Sequence, residues 1–474
     1  MKSMRVRYYY AGALLFLTSC SFADTTTVSL SGIQMKQSGW VAFDGGEIVQ
    51  STNAQNNGVP GQGVTVPKTW VEDLLFKYAN ECLVTERMRV SLSVQCAINY
   101  SYPYAQYANT ETVQPQITFI PDRAEATYTI GNFQKPTLQF GFGYFPFKTD
   151  PDAKNLGDYL FRTGTYPVYE MYTGFDWATA RLLGLRVTSN LFDGFHQDLL
   201  LTSSTMLPPL MDGSLTYLAD YSFGKILNVG AGVSFVDLFP VDGQLVTPQN
   251  STTQYIKSIT KNGNTFDTAT SYYTFAAAKP MVRFAFDPKL LIADLVPGDL
   301  FGKEDCRLYG EACVTGWEDY PESMSSLLSP IQSPSSIITY ANRNDRTLYM
   351  AGFDFPTFKT LDVLSIEVEH YPNRYPNDDY QVFGGTGETN AVPLPLPYPA
   401  GLNDPNLQNS GIYPWFWSFY AKKNFLGRFS IIAQFARDHM RPFNNNVTWA
   451  LYNTGDAFEQ KGDWWWNVRL RADY

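Results

Sequence analysis

Along the last eleven residues every second position is apolar or aromatic. Trp464, Trp466, Val468, Leu470, Ala472 and Tyr474 share one face, and Trp465, Asn467, Arg469, Arg471 and Asp473 share the other. A period of two predicts a strand with one dry and one wet side. The same alternation recurs upstream. Val90, Leu92, Val94, Cys96 and Ile98 interleave with Ser91, Ser93, Gln95, Ala97 and Asn99. Leu308, Gly310, Ala312 and Val314 interleave with Arg307, Tyr309, Glu311, Cys313 and Thr315. Leu364, Ile366 and Val368 interleave with Ser365, Glu367 and Glu369.

Extending this reading predicts strands at 28–50, 70–81, 86–101, 116–131, 137–148, 175–192, 195–206, 213–224, 226–240, 271–288, 304–317, 346–356, 360–375, 413–424, 428–442 and 463–474. That is about 16 strands, within a range of roughly 14–18. Links after odd-numbered strands are long and rich in Gly, Pro, Asn and Ser: 51–69, 102–115, 149–174, 241–270, 318–345, 376–412 and 443–462, with a short one only at Met206–Asp212. Links after even-numbered strands are tight turns such as Asn132–Pro136, Asp193-Gly194, Thr357–Lys359 and Phe425–Gly427, the longer Lys289–Lys303 excepted. A soluble sandwich gives no reason for loop length to alternate in this way.

The N-terminus reads as an export signal. Lys2, Arg5 and Arg7 precede the apolar run Ala11–Leu17, and Ser21-Phe22-Ala23 offers small residues for cleavage before Asp24. Leu17-Thr18-Ser19-Cys20 is the competing site, at which Cys20 would be lipidated. The favoured division is a signal peptide at 1–23 and one barrel domain at 24–474. Beyond the signal no run of 18 apolar residues occurs, so no transmembrane helix is predicted. Aromatics make up 16% of the chain, as expected where belts of them flank a membrane. Mean hydropathy is only −0.21, as expected where half of each strand faces water.

These features together resemble outer-membrane β-barrels of Gram-negative bacteria, whose terminal strand ends on an aromatic residue, as this chain does at Tyr474. Phe301–Trp317, Leu361–Tyr371 and Asn155–Pro167 are similar to segments of a group of porin-like barrels. The resemblance implies an all-β fold: a transmembrane, antiparallel, up-and-down barrel with apolar residues outward, long loops outside the cell and short turns in the periplasm. It implies outer-membrane lipid, lipopolysaccharide and the barrel-assembly machinery as partners, and it is compatible with a homo-oligomer. It names an architecture and no substrate.

Charge and candidate chemistry refine this picture. The formal net charge is −10, which disfavours nucleic acid. Glu318, Asp319, Asp378, Asp379 and Glu388 lie in long loops, and an acidic mouth would attract cations. A solvated rim, or divalent cations bridging the loops to lipopolysaccharide, would account for the same residues. Loop 149–174 carries Asp150, Asp152, Lys154, Asp158 and Arg162 beside Leu156, Tyr159, Leu160 and Phe161. It is expected to fold into the lumen as a constriction, the alternative being a short surface helix. Asp150-Pro151-Asp152-Ala153-Lys154 fails calcium-loop spacing, because Lys154 stands where an oxygen ligand is needed. Pore-lining candidates on the strands are Arg307, Glu311, Glu367, Glu369, Arg469 and Arg471, with Glu311, Glu367, Glu369 and Arg469 expected to face lumen water.

Four cysteines remain after cleavage. Cys306 and Cys313, placed on one strand, would face opposite sides roughly 23 Å apart, so no disulfide joins them. No cysteine or histidine spacing suggests a metal, and no cofactor is expected. His196, His370 and His439 lack a nucleophile at a readable spacing, and no Gly-x-Ser-x-Gly occurs, so no catalytic residue is assigned. The expected function is a porin-like channel for passive diffusion of small hydrophilic solutes or ions, mildly cation-preferring. The alternative is a non-conducting surface barrel whose Pro-rich loop 376–412 binds polysaccharide or a partner.

Overall fold

The computed structural model describes residues 27–30, 33–50, 69–99, 116–131, 136–163, 166–167, 180–203, 213–239, 252–254, 258–261, 264–267, 272–274, 277–291, 300–314, 347–371, 413–438 and 461–474. Sixteen strands form a closed antiparallel ring: β1 (Ile33–Gln50), β2 (Thr69–Leu83), β3 (Met88–Asn99), β4 (Gln116–Gly131), β5 (Pro136–Phe147), β6 (Ala180–Phe192), β7 (Phe195–Ser203), β8 (Gly213–Phe223), β9 (Leu227–Phe239), β10 (Ala277–Phe286), β11 (Leu308–Val314), β12 (Thr347–Asp354), β13 (Val363–His370), β14 (Trp415–Phe425), β15 (Phe429–Arg437) and β16 (Trp464–Asp473). Each strand pairs with its neighbours in sequence, and β16 closes on β1 from Trp40↔Asp473 to Gln50↔Trp464. Closure leaves no free sheet edge, the condition for spanning a bilayer with strands. Thr27–Leu30 folds back on the start of β1 as a short additional strand. Among the described residues no helix is long and apolar enough to cross a membrane.

All sixteen predicted strands are present, and the alternation sets their two faces. Leu92, Val94, Phe142, Val282, Phe419, Phe435 and Leu470 point outward and are exposed, while Glu311, Glu367, Asn467 and Arg469 point inward. The turns are made as their sequences suggest. In the β14–β15 hairpin Leu426 and Gly427 both take positive φ, 53° and 71°, and Arg428 N donates to Phe425 O at 3.1 Å. Such turns match the twist of the strands they join.

Several features differ from the sequence reading, beginning with the predicted strand 28–50, which is broken because Thr27–Leu30 pairs back on β1. Residues 271–288 do not form one strand: Tyr272–Thr274 pairs with Thr252–Gln254 in a separate small sheet, and β10 begins at Ala277. Cys306 is not on β11; it precedes the strand with φ 64°, so the strand-based argument about Cys306 and Cys313 does not apply. Cys82, Cys96, Cys306 and Cys313 are all free. The long link before β11 has structure of its own, with a single turn of helix at Pro288–Leu291. Asp305 ties this link to the β12–β13 turn, accepting from Gly302 N at 2.9 Å, Thr357 Oγ1 at 3.0 Å and Phe358 N at 3.1 Å. Burial raises the Asp305 carboxyl, but these donors outweigh burial and hold it below its ordinary value.

Candidate functional site: the inward loop and the wall that holds it

After β5 the chain turns into the barrel. Residues 148–161 lie against the inner wall, and the short helical turn Tyr159–Phe161 is wholly buried. The Leu–Tyr–Leu–Phe group therefore packs inside and is not a surface helix. Leu156, Tyr159, Leu160 and Phe161 join Phe145, Leu182, Leu200, Leu218, Met281, Tyr309, Met350 and Phe416 in one apolar cluster that runs from β5 round to β14. Phe147 and Phe161 meet edge to face at 5.6 Å. This burial is the non-directional part of the attachment.

The directional part is supplied by two carboxylates of the wall. Glu367 on β13 accepts the backbone N–H groups of Lys154, of Asn155 at 2.8 Å and of Leu156 at 2.9 Å. Glu311 on β11 accepts those of Asp158 at 2.9 Å and Tyr159 at 2.8 Å. Tyr309 OH donates to Glu367 Oε1 at 2.8 Å and fixes that carboxylate. Charged acceptors on backbone donors form the stronger class of hydrogen bond. The local sequence makes the approach possible. Gly157 sits at φ +88°, and a Cβ there would lie 3.1 Å from Met350 Cε and 3.2 Å from Glu311 Oε2.

Ion pairs fix the side chains of the loop. Asp152 pairs with Arg307, which also meets Glu304 at 2.9 Å. Asp150 lies 3.7 Å from Arg283, whose other amino group holds Asp220 at 2.7 Å. Lys154 reaches Asp354 at 3.8 Å and lies over the Tyr309 ring at 5.4 Å. Asp158 is turned back on the loop and accepts from Thr149 N at 2.8 Å. Asn155 donates to Asp438, which also receives Trp465 Nε1 at 2.8 Å.

The candidates named from sequence thus divide into groups. Asp150, Asp152, Lys154, Asp158, Arg307, Glu311 and Glu367 meet in the loop–wall contact. Glu311, Glu367, Glu369 and Arg469 lie on the inner face as the alternation requires, but all four are buried and do not face open lumen water. The loop covers Glu311 and Glu367, and Arg469 is enclosed by a bidentate pair with Asp44, at 2.6 and 2.7 Å. Arg471 is partly exposed beside Asp473. The side chain of Arg162 and the residues Glu318, Asp319, Asp378, Asp379 and Glu388 lie outside the described residues. Arg283, Asp220, Tyr309 and Asp354 take part without having been singled out. Their inward parity was readable, but their partners lie in segments remote along the chain.

No catalytic arrangement forms around the described histidines. His196 Nδ1 meets Asn190 Oδ1 at 2.8 Å and Nε2 meets Asp198 Oδ2 at 3.0 Å, with no hydroxyl on either nitrogen. His370 stacks on Tyr349 at 5.0 Å on the outer surface. His439 lies outside the described residues. Among the described residues no group of three or more His, Cys, Asp or Glu is placed to hold a metal ion.

No family model and no curated protein matches this sequence. Among solved structures the chain is similar to a mutant of the Rh. blastica porin, at 8% identity and TM-score 0.41, over 93% of this chain and 100% of that one. It is also similar to Salmonella typhi OmpF in complex with daunomycin, at 10% identity and TM-score 0.43, over 95% and 100%. The chain's own strand pairing establishes a closed, antiparallel, up-and-down β-barrel.

Proposed function

We propose that the chain is an outer-membrane channel for passive diffusion of small hydrophilic solutes, exported by a signal peptide at 1–23 and inserted by the barrel-assembly machinery among lipid and lipopolysaccharide. The observation that carries this reading is the inward loop. A closed ring of sixteen strands encloses a lumen too wide for wall side chains alone to fill. A loop bound to one side of that lumen narrows it. In this reading Asp152, Lys154 and Arg307 set the constriction, because each keeps part of its side chain in water. Asp150, Asp158, Glu311 and Glu367 hold the loop in place.

A mild cation preference belongs to the same proposal. It rests on Glu318, Asp319, Asp378, Asp379 and Glu388 in the long loops, which raise the local cation concentration at the mouth. Salt screens that effect over about 10 Å at 0.1 M.

Planar-bilayer recording tests both parts. Ohmic single-channel steps are expected, with a cation preference at low salt that fades as salt rises. Neutralising Asp378, Asp379 and Glu388 together should lower the preference and leave conductance. Anion preference at low salt in the unmodified protein would remove the mouth argument. Absence of steps from a heat-modifiable, folded barrel would replace the channel by a non-conducting surface barrel that binds polysaccharide or a partner.

A further inference from the structure

The apolar outer surface does not stop where β10, β11 and β12 meet their short-link ends. On that outer face Phe286 pairs with Leu308, and Leu308 with Phe353. Phe353 meets Phe355 edge to face at 5.1 Å, one residue past the end of β12. Beyond the strands the link before β11 and the β12–β13 turn carry the apolar face on. Phe301 of the link stacks on Phe358 of the turn, with ring centroids 5.8 Å apart. Leu291 is 60% exposed, Leu300 42% and Phe358 51%. The β14–β15 turn adds Leu426, 92% exposed. The aromatic belts of a barrel stand on its strands; this surface stands past them, on one link and two turns.

These pieces form one body. Asp305 ties the link to the β12–β13 turn, and Lys289 Nζ donates within the link to Lys303 O at 2.6 Å and Asp305 O at 3.0 Å. Lys423 Nζ donates to Lys359 O at 2.9 Å, which joins β14 to the β12–β13 turn. Phe358, Lys359 and Leu426 take positive φ, 52°, 66° and 53°. Bulky residues rarely adopt that conformation, and glycine adopts it without strain. Here a phenylalanine and a leucine hold it with their side chains turned out, and strain of this kind marks positions with a task. Ammonium groups stand at the same level. The Lys303 side chain is 90% exposed, 3.7 Å from Glu304, which Arg307 holds at 2.9 Å. Lys359 is exposed, and Lys423 lies 3.7 Å from Asp362.

We propose that this body is a foot that seats on the phospholipid of the periplasmic leaflet. Phe301, Phe358, Leu300 and Leu426 enter among the first acyl carbons, and Lys303 and Lys359 donate to phosphate oxygens. A lysine stem lies along apolar surface while its ammonium reaches the headgroup, and hydrogen bonds between charged groups are the stronger kind. Continuity with the outer faces of β10–β12 selects lipid as the occupant, because the surface begins on strands that face the bilayer. The foot rests on the outer-membrane reading and does not depend on conduction. Seated in this way, Leu300–Lys303 lie beside the barrel and not beneath its lumen.

The test is photolabelling of the full barrel in phosphatidylcholine vesicles, with a diazirine on the lipid headgroup or on the acyl chain, beside hydroxyl-radical footprinting of the same vesicles. The headgroup probe should label Phe301–Lys303, Phe358 and Leu426, and these side chains should resist oxidation. The acyl-chain probe should label Val282 and Ile431, exposed on the outer faces of β10 and β15. The double variant Phe301→Ser/Phe358→Ser should lose headgroup label at Lys303 and keep acyl-chain label at Val282 and Ile431. Heat-modifiable mobility must be retained in every variant compared, and single variants serve if the double one fails to fold. Headgroup label kept at Lys303 in the variants would overturn the foot. Oxidation of Phe358 and Leu426 without lipid label would overturn it too, and would mean a water-exposed surface fit for a periplasmic protein. In both cases label at Val282 and Ile431 leaves the membrane barrel standing, whereas its absence would remove the barrel and the foot together.

Discussion

Glu311 accepts the backbone N–H of Tyr159 at 2.8 Å across 152 residues of chain. With Glu367 it forms a two-point attachment that grips the loop by its main chain. Side-chain changes in the loop, Gly157 apart, leave such a grip intact, whereas changes in the two wall residues remove it.

Replacing either wall carboxylate by Ala should therefore release part of the loop. Each buried donor left without an acceptor costs roughly 1–3 kcal/mol. Glu367→Ala strands three loop amides and Glu311→Ala two, so the first should have the larger effect. Amide exchange at Asn155 and Leu156 should accelerate in Glu367→Ala and that at Asp158 and Tyr159 in Glu311→Ala, with larger or noisier conductance steps. Unchanged exchange in both variants would mean that the apolar cluster alone holds the loop.

The seam that closes the ring runs on to Tyr474. Tyr474 N donates to Gly39 O at 2.9 Å, and Gly39 N donates to Tyr474 O at 3.0 Å, extending the seam between β16 and β1. Leu470 stands exposed on the outer face of the same strand. Deleting Tyr474, or Leu470→Asp, should lower the yield of heat-modifiable barrel. A charge on a lipid-facing strand costs about 2–4 kcal/mol for Arg or Lys at the midplane, and less for Asp. Normal yields from both variants would count against a lipid-facing Leu470.

Orientation can be read from tags. Epitopes inserted near Gln332 or Gly385, in the long links, should be reached by antibody on intact cells, whereas one near Gly427 should not. Surface labelling at Gly427 would reverse the barrel.

The Asp305 tie gives a pH dependence of definite sign. Its carboxyl is held below 3.8, the ordinary value, so the ionised form is favoured in the folded protein. The contribution is present above that ordinary value and is lost as pH falls through the lowered one. Protection factors for the Gly302 and Phe358 amides should be steady at neutral pH and drop in acid. Asp305→Asn should lose part of the protection at every pH, because one acceptor oxygen is gone. Protection unaffected by Asp305→Asn would show that the β12–β13 turn holds itself.

The strands and their faces were legible in the sequence because side-chain alternation is local. Val90 to Ile98 declares an outward and an inward set without reference to any other strand, and Trp464 to Tyr474 does the same at the end of the chain. Loop lengths added the up-and-down order, since two-residue turns such as Asp193-Gly194 force neighbouring strands to pair. Where local signals misled, tertiary pairing was the reason. Tyr272–Thr274 has strand composition but finds its partner in Thr252–Gln254, not in the barrel.

The site was decided at the tertiary level. Composition made loop 149–174 able to pack inward or lie outside, and its direction follows from Glu311 and Glu367, more than 150 and 210 residues away along the chain. Inward parity placed Glu311, Glu367 and Arg469 on the right face yet said nothing of burial, because a covering loop or an opposing Asp44 is no part of a strand's own pattern. The bulge at Asp122, between β3 and β4, depends on a register between two strands, and alternation within either strand alone carries no trace of it. A period of two is a property of adjacent residues. Contacts across a lumen depend on which strands the ring sets opposite one another and on what the chain places between them.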